Sequence, residues 1–477
     1  MTPLLAHSAM RLARMIRDGE TTSIEVVDAH IARIREVNPR LNAVVRNRFD
    51  AARAEAERAD EATRTMPRDR LPVLHGVPCT IKESFALEGM PNSGGLVARS
   101  QHIATEDATA VKRLRAAGAI PLGVTNVSEL CMWMESANRV YGRTTNAYDV
   151  RRTAGGSSGG EGSIVGAGGV PFGLGADIGG SIRMPAFFNG VFGHKPTGGL
   201  VPGSGQYPIA ENDALRYLTT GPIARRAEDL MPILRVLAGP DGIDDRCEAR
   251  VLGSVEEVDI SKLRVLDVAG NGRIGVSRDL MTVQKKAARV LASRGATIEE
   301  TRIAGLKSSV EIWAAMMGTQ ETTSFRSRLE HGTEKHLGLE LARWSVGQSP
   351  HTLPSIVLAL IERITKASPK ETARFVAMGH ALKDEVAARI GENGVMLYPS
   401  YPEVAPRHHA PLLMPIKWMY TAILNVLELP VTQVPLGLDA RGLPLGVQVV
   451  GAHGCDHLTI AVAMELERHF GGWVVPR

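Results

Sequence analysis

Between Thr153 and Arg183 the chain is dominated by glycine and serine, yet Ile164, Val165, Val170, Phe172, Leu174 and Ile178 are threaded through the same run. A flexible linker does not carry apolar side chains of that size, because they require burial. The fold must therefore enclose a glycine-rich backbone. There the missing Cβ atoms let the main chain reach φ > 0 and approach a neighbour or a ligand closely. Asp177-Ile178-Gly179-Gly180-Ser181 sets a hydroxyl just after a run of amides able to converge on one point. A serine nucleophile and its oxyanion hole can be built together in that way. Gly155-Gly156-Ser157-Ser158-Gly159-Gly160 supplies a second pair of serines upstream.

A serine nucleophile needs a base, and no histidine lies in or near this stretch before His194. A lysine can serve if burial leaves its amine uncharged. Leu74-His75-Gly76-Val77-Pro78-Cys79-Thr80-Ile81-Lys82-Glu83 reads as a buried strand end with a single lysine at its edge. Ser181 is thus assigned as nucleophile, Lys82 as general base, and Ser157 as the hydroxyl that passes the proton between them. The oxyanion donors are expected in the N–H groups of Ile178, Gly179, Gly180 and Ser181. Ser158 and Thr153 are expected to hydrogen-bond this network, with Asp177 and Arg183 forming a local ion pair.

On these residues the chain resembles the amidase signature family of Ser-cisSer-Lys hydrolases. The motifs are Gly76-Val77-Pro78 through Lys82, Gly155 through Gly160, and Asp177 through Arg183, at the family's spacing. Cys131-Met132-Trp133, Met184 through Gly190 and Leu443 through Val450 are most similar to the fatty-acid amide hydrolase branch, in its second animal type. The resemblance covers nearly the whole chain. It implies an α/β fold with a central mixed, twisted β-sheet covered by helices on both faces, and a cis peptide between Gly156 and Ser157. It also implies hydrolysis of a carboxylic acid amide to acid plus amine or ammonia.

Read in order, the chain suits one domain spanning 1–477. Residues 1–70 form a helical collar and 71–260 a core with the Lys and Ser motifs. Residues 261–390 hold a βαβ unit and a helical cap insertion, and 391–477 complete the core sheet. Strands are expected at Val77–Ile81, Ile120–Val124 and Leu443–Val450, and helices at Ala108–Ala117 and His457–Phe470. A net charge of +4 over 477 residues offers no case for nucleic acid. Cys79, Cys131, Cys247 and Cys455 lack metal-site spacing and fit a reduced, cytoplasmic chain. Arg11, Arg14 and Arg17 interrupt any signal-peptide core, and no run approaches the ~20 apolar residues of a membrane span. That departs from the membrane anchor the branch would imply. No metal and no cofactor is expected. Residues 352–364 form an apolar helix open to several readings: core, lid, peripheral membrane contact or homodimer surface.

Three rivals are considered. Gly155 through Gly159 also fits a GxSxG elbow with Ser157 as nucleophile and His408, His409 or His453 as base, but no strand or HGGG-type loop accompanies it. Gly270-Asn271-Gly272-Arg273-Ile274-Gly275 spells GxGxxG before a helix, with Glu299 and Glu300 where a ribose-binding acid is sought. An NAD-binding oxidoreductase would need a second mononucleotide half, so an ordinary strand-turn-helix is preferred. An amidase-like subunit of a tRNA-dependent amidotransferase is the third, although Ile178 stands where that branch would have threonine. For the small-molecule amide substrate, Cys131, Met132 and Trp133 are expected to line an acyl pocket, which Met134, Met414, Trp418 and Tyr420 would extend. Core packing explains these residues equally well.

Overall fold

The computed structural model describes residues 3–320, 322–330, 337–364 and 368–476. Its strands are β1 (Val44–Asn47), β2 (Pro78–Lys82), β3 (Ile120–Thr125), β4 (Ala137–Asn138), β5 (Gly142–Arg143), β6 (Phe172–Asp177), β7 (Phe192–Lys195), β8 (Thr219–Ala224), β9 (Arg264–Asp267), β10 (Thr297–Glu300), β11 (Gly394–Tyr398), β12 (Val431–Leu438) and β13 (Pro444–Gly451). Strands β4 and β5 pair as a separate hairpin. The others form one 11-stranded sheet in the order β1-β3-β2-β6-β8-β7-β12-β13-β11-β9-β10. It is mixed: β2 runs parallel to both β3 and β6, whereas β6, β8, β7, β12 and β13 are successively antiparallel.

Every residue of β2, β3, β6, β7 and β8 is buried, so both faces of the sheet are covered. The mixed sheet with helices on both faces is the architecture expected from the sequence. Its position matters for function: the Lys82 end of β2 and the Asp177 end of β6 lie side by side, with Ile81 opposite Leu174 in the ladder.

The N-terminal region is helical, with helices Ala9–Asp18, Ser23–Leu41 and Phe49–Thr65. Thr22 and Glu25 close a reciprocal capping box on the second of them. Ile31, Ile34, Ala52 and Ala56 share a core cluster with Leu122, Ile164 and Val165, so this collar buttresses the glycine-rich helix Gly159–Gly166.

The βαβ unit is β9, the helix Arg278–Ser293 and β10. Its GxGxxG turn is open where a dinucleotide fingerprint is crowded. A Cβ on Gly275 would meet nothing within 4 Å, so this glycine is not required for helix–strand packing. Glu299 is engaged by Arg264 at 2.5 Å.

Helices Ser309–Gln320, Phe325–Glu330, Leu337–Ser345, Leu353–Ile364 and Pro369–Ile390 follow. Leu353–Ile364 stands apart from the main core. Its Ala359 joins a small cluster with Leu96, Leu130, Phe325 and Leu329, and Ile361 on another face is 43% exposed. Among the described residues no helix is long and apolar enough to cross a membrane.

Candidate active site

Side chains two apart on a strand share a face, so Thr80 and Lys82 project together from β2. The glycine-rich helix Gly159–Gly166 packs on that face, and Ser157 lies at its entry. Lys82 Nζ donates to Ser157 Oγ at 2.7 Å and reaches the Ala176 carbonyl at 3.5 Å. The Gly156–Ser157 peptide is cis, as the resemblance implied. Glycine is required at 156, where a Cβ would come within 2.4 Å of the Trp133 carbonyl oxygen. Burial pushes the Lys82 amine below the usual lysine range, against the opposing pull of Cys131, Asp177 and Glu161.

After β6 the chain turns sharply through Ile178 to Ser181. Asp177 organises this turn: its carboxylate accepts from the N–H groups of Gly180 at 2.6 Å and Ile182 at 3.0 Å. It also takes a two-pronged ion pair from Arg183, with Nε at 3.0 Å and Nη2 at 2.9 Å. Burial opposes the charge on Asp177, but Arg183 and the Asn425 amide hold its carboxyl well below the usual carboxylate range.

Ser158 Oγ donates to the Ala176 carbonyl at 3.3 Å, and its N–H donates to the Ser181 carbonyl at 3.2 Å. The two glycine-rich motifs are thereby tied side by side. Thr153, expected in the same network, instead caps its own turn by accepting from the Gly155 N–H at 3.0 Å. Gly180, counted among the oxyanion donors, has its N–H committed to Asp177. Among the described residues no hydrogen bond joins the Ser157 and Ser181 hydroxyls, and the N–H groups of Ile178, Gly179 and Ser181 have no protein acceptor. The donors available to an oxyanion are thus narrowed to these three.

Ser181, 7% exposed, opens with Ile178 and Gly179 onto an apolar cavity of about 130 Å³. Cys131, Met132, Trp133 and Met134 form one wall of this cavity. Trp313 and Trp418 form another, packed edge to face with centroids 4.6 Å apart. Trp313 Nε1 also donates to the Ile178 carbonyl at 3.2 Å, bracing the turn that carries the free amides.

Two expected wall residues are elsewhere. Tyr420 is two positions past Trp418 and so faces the other side of the helix Met419–Val426, where its hydroxyl bonds the Ile274 carbonyl. Met414 lines a separate surface pocket. Trp313 and Leu358 were missed by sequence reasoning. The one available signal was the scarcity of tryptophan: three of the chain's five, Trp133, Trp313 and Trp418, converge on this cavity.

Leu358 brings the helix Leu353–Ile364 over the cavity. Its N-terminus is tethered by Glu129, which accepts from Thr352 N at 2.8 Å and pairs with His351 Nδ1 at 2.8 Å. The elbow alternative finds no base. His408 Nε2 lies on the Val150 carbonyl, His409 Nε2 on Arg143, and His453 beside Glu428.

A buried lysine on one serine, with a second serine beside free amides at an apolar cavity, is equipped for acyl transfer. Residues 25–460 match the Amidase family, and the chain belongs to it. It is an amide-hydrolysing enzyme. The chain is 48% identical to the fatty-acid amide hydrolase 2-A of Danio rerio, over 99% of this chain and 90% of that protein. A more distant relative, at 31% identity, is a glutamyl-tRNA(Gln) amidotransferase component of Lachnospira eligens, matched over 94% of this chain and 95% of that protein. A solved structure of 6-aminohexanoate cyclic dimer hydrolase with its substrate superposes with a TM-score of 0.81 at 25% identity, covering 98% of each chain.

Proposed function

We propose that the enzyme hydrolyses hydrophobic acyl amides through an acyl-enzyme on Ser181, with Ser157 and Lys82 as its proton relay. The observation that carries this reading is the 2.7 Å hydrogen bond from Lys82 to Ser157, beside a Ser181 that faces an apolar cavity. In acylation, Ser181 Oγ attacks the amide carbonyl carbon as its proton passes to Ser157 Oγ and the Ser157 proton passes to Lys82 Nζ. The carbonyl oxygen gains charge opposite the free amides of Ile178, Gly179 and Ser181, where one such donor is worth ~10²- to 10³-fold in rate. The relay then runs in reverse and delivers that proton to the amide nitrogen, the C–N bond breaks to release a neutral amine, and the new C–O bond to Ser181 remains. Water attacks this ester by the same route and releases the acid.

None of the described residues lining the cavity is charged, which suits an apolar acyl group such as a fatty or aryl chain. A glutamine donor would bring a charged ammonium and carboxylate into that space, so the wall disfavours the amidotransferase reading. The single sheet with strands from Val44 to Gly451 supports a one-domain organisation. Its four free cysteines support a reducing, cytoplasmic setting. The helix Leu353–Ile364, with Leu358 in the wall, fits a lid over the acyl pocket.

The base is tested by pH. Lys82 accepts a proton only when uncharged, so kcat/KM for an acyl p-nitroanilide is expected to rise with pH along an acid limb. That limb lies below the ordinary lysine range because the folded pKa is lowered. Lys82→Ala is expected to lose the limb along with most of the activity; an unchanged profile would remove Lys82 from the mechanism. The pocket is tested by chain length. Trp418→Ala is expected to lengthen the preferred acyl chain, gaining about fourfold in kcat/KM for each further methylene it accommodates. An unaltered preference would place the acyl group elsewhere.

A further inference from the structure

One buried carboxyl beside the catalytic lysine has no part in the relay. Glu161 lies one helical turn beyond Ser157, so as Lys82 meets Ser157, its strand neighbour Thr80 meets Glu161. Thr80 Oγ1 donates to Glu161 Oε2 at 2.5 Å and Thr125 Oγ1 to Oε1 at 2.9 Å. Thr125 is the registered partner of Lys82 across β2 and β3, and Gly173 is that of Thr80 across β2 and β6. A Cβ on Gly173 would fall 1.8 Å from Glu161 Oε2. Three adjacent strands thus form a socket fitted to one carboxyl group, beside the base and sealed from solvent.

We propose that Glu161 is a positioning residue that sets the charge on Lys82: while its carboxyl is neutral, Lys82 is free to be an uncharged base, and when it ionises, Lys82 retains its proton and cannot accept one. In this dry site the two charges stabilise each other, so ionisation of either favours the charged form of its partner. Burial pushes the Glu161 carboxyl up to about 8, against its two threonine donors and the Lys82 charge, so it changes charge at mildly alkaline pH. The other titratable and charged groups around the pair are Cys131 and Asp177 beside Lys82, Asp177 being neutralised by Arg183, and Cys79 on β2 beside Glu161. Cys79 is pushed up by burial and stays a neutral thiol.

The inference rests on Lys82 being the base, and two readouts separate the two claims. The first does not involve turnover. In an infrared titration of the whole enzyme, the band of a protonated buried carboxyl that disappears in Glu161→Gln reports Glu161. In Lys82→Met, where the opposing positive charge is gone, its midpoint is expected to move to higher pH by half a unit or more, about threefold in proton affinity. A midpoint that stays in place, or a carboxyl that never ionises, overturns the coupling whatever Lys82 does in catalysis.

The second readout is the pH profile. With no negative charge at 161, Lys82 becomes neutral at lower pH. Glu161→Gln is therefore expected to move the acid limb of kcat/KM down by half a unit or more. Thr125→Val withdraws a donor that favours ionised Glu161 and should move the limb the same way by less, which keeps the test open if the glutamine variant folds poorly. A limb that stays fixed or moves upward overturns the inference. If the limb survives in Lys82→Met while the infrared coupling holds, the assignment of the base has failed instead.

Discussion

Ser181→Ala is expected to abolish hydrolysis of acyl anilides and labelling by a fluorophosphonate together, with kcat falling by ~10⁴- to 10⁶-fold, as when other serine hydrolases lose the nucleophile. The protein itself should be little affected. No described residue hydrogen-bonds the Ser181 hydroxyl, so its removal orphans no partner, and the lost oxygen faces a cavity rather than packed atoms. Thermal melting within a few degrees of wild type, with activity gone, would assign the loss to chemistry. Mass spectrometry of the labelled wild type should find the adduct on Ser181. Label on Ser157, or turnover surviving in Ser181→Ala, would overturn Ser181 as the nucleophile.

Arg183→Ala is expected to be the most destabilising single change near the site, by about 3–5 kcal/mol, because it leaves a charge buried without its partner. Arg183 and Asp177 are both fully buried. Besides its two bonds to Asp177, Arg183 donates to the Thr421 carbonyl at 2.9 Å, to Gln448 Oε1 at 2.8 Å and to Asn425 Oδ1 at 2.6 Å. One guanidinium therefore links the Ser181 turn to the helix Met419–Val426 and to β13. Lysine should rescue poorly, since a single ammonium cannot supply that planar fork of donors. Urea unfolding is the measurement: a lower midpoint at unchanged slope is expected for Arg183→Ala and, to a smaller degree, for Arg183→Lys. A shift below ~1 kcal/mol would mean that water or a rearranged side chain replaces the guanidinium.

The two variants also mark the border between what could be read in the chain and what could not. Ser181, Ser157 and Lys82, the proposed relay, each sit in a short motif whose backbone requirement is local. The contacts that finish the site come from far along the sequence: Trp313 on the Ile178 carbonyl, Leu358 over the cavity, Gln448 and Asn425 on Arg183. None of these has a local signature. Trp313 reads as an ordinary residue of an apolar helix until that helix packs against the Ser181 turn.

Where the reading misjudged a residue, geometry supplies the reason. Tyr420 was grouped with Trp418 by nearness in sequence, but a helix turns residues two apart toward opposite sides. Gly180 belongs to a run of amides that in sequence could all converge on one point. Only the folded turn shows that the Asp177 carboxylate is nearer to hand.

The mixed sheet with helices on both faces followed from the sequence alone, although its central strands β7 and β8 and the helix Met419–Val426 did not. Hydrophobic periodicity, capping residues and glycine spacing all act over a few residues. Which amides remain free, which tryptophans wall the cavity and how much charge Lys82 carries were decided by tertiary structure. Each depends on the burial and proximity of groups that the chain brings together only on folding, and a buried charge responds to every neighbour within several ångströms, whatever its place in the sequence.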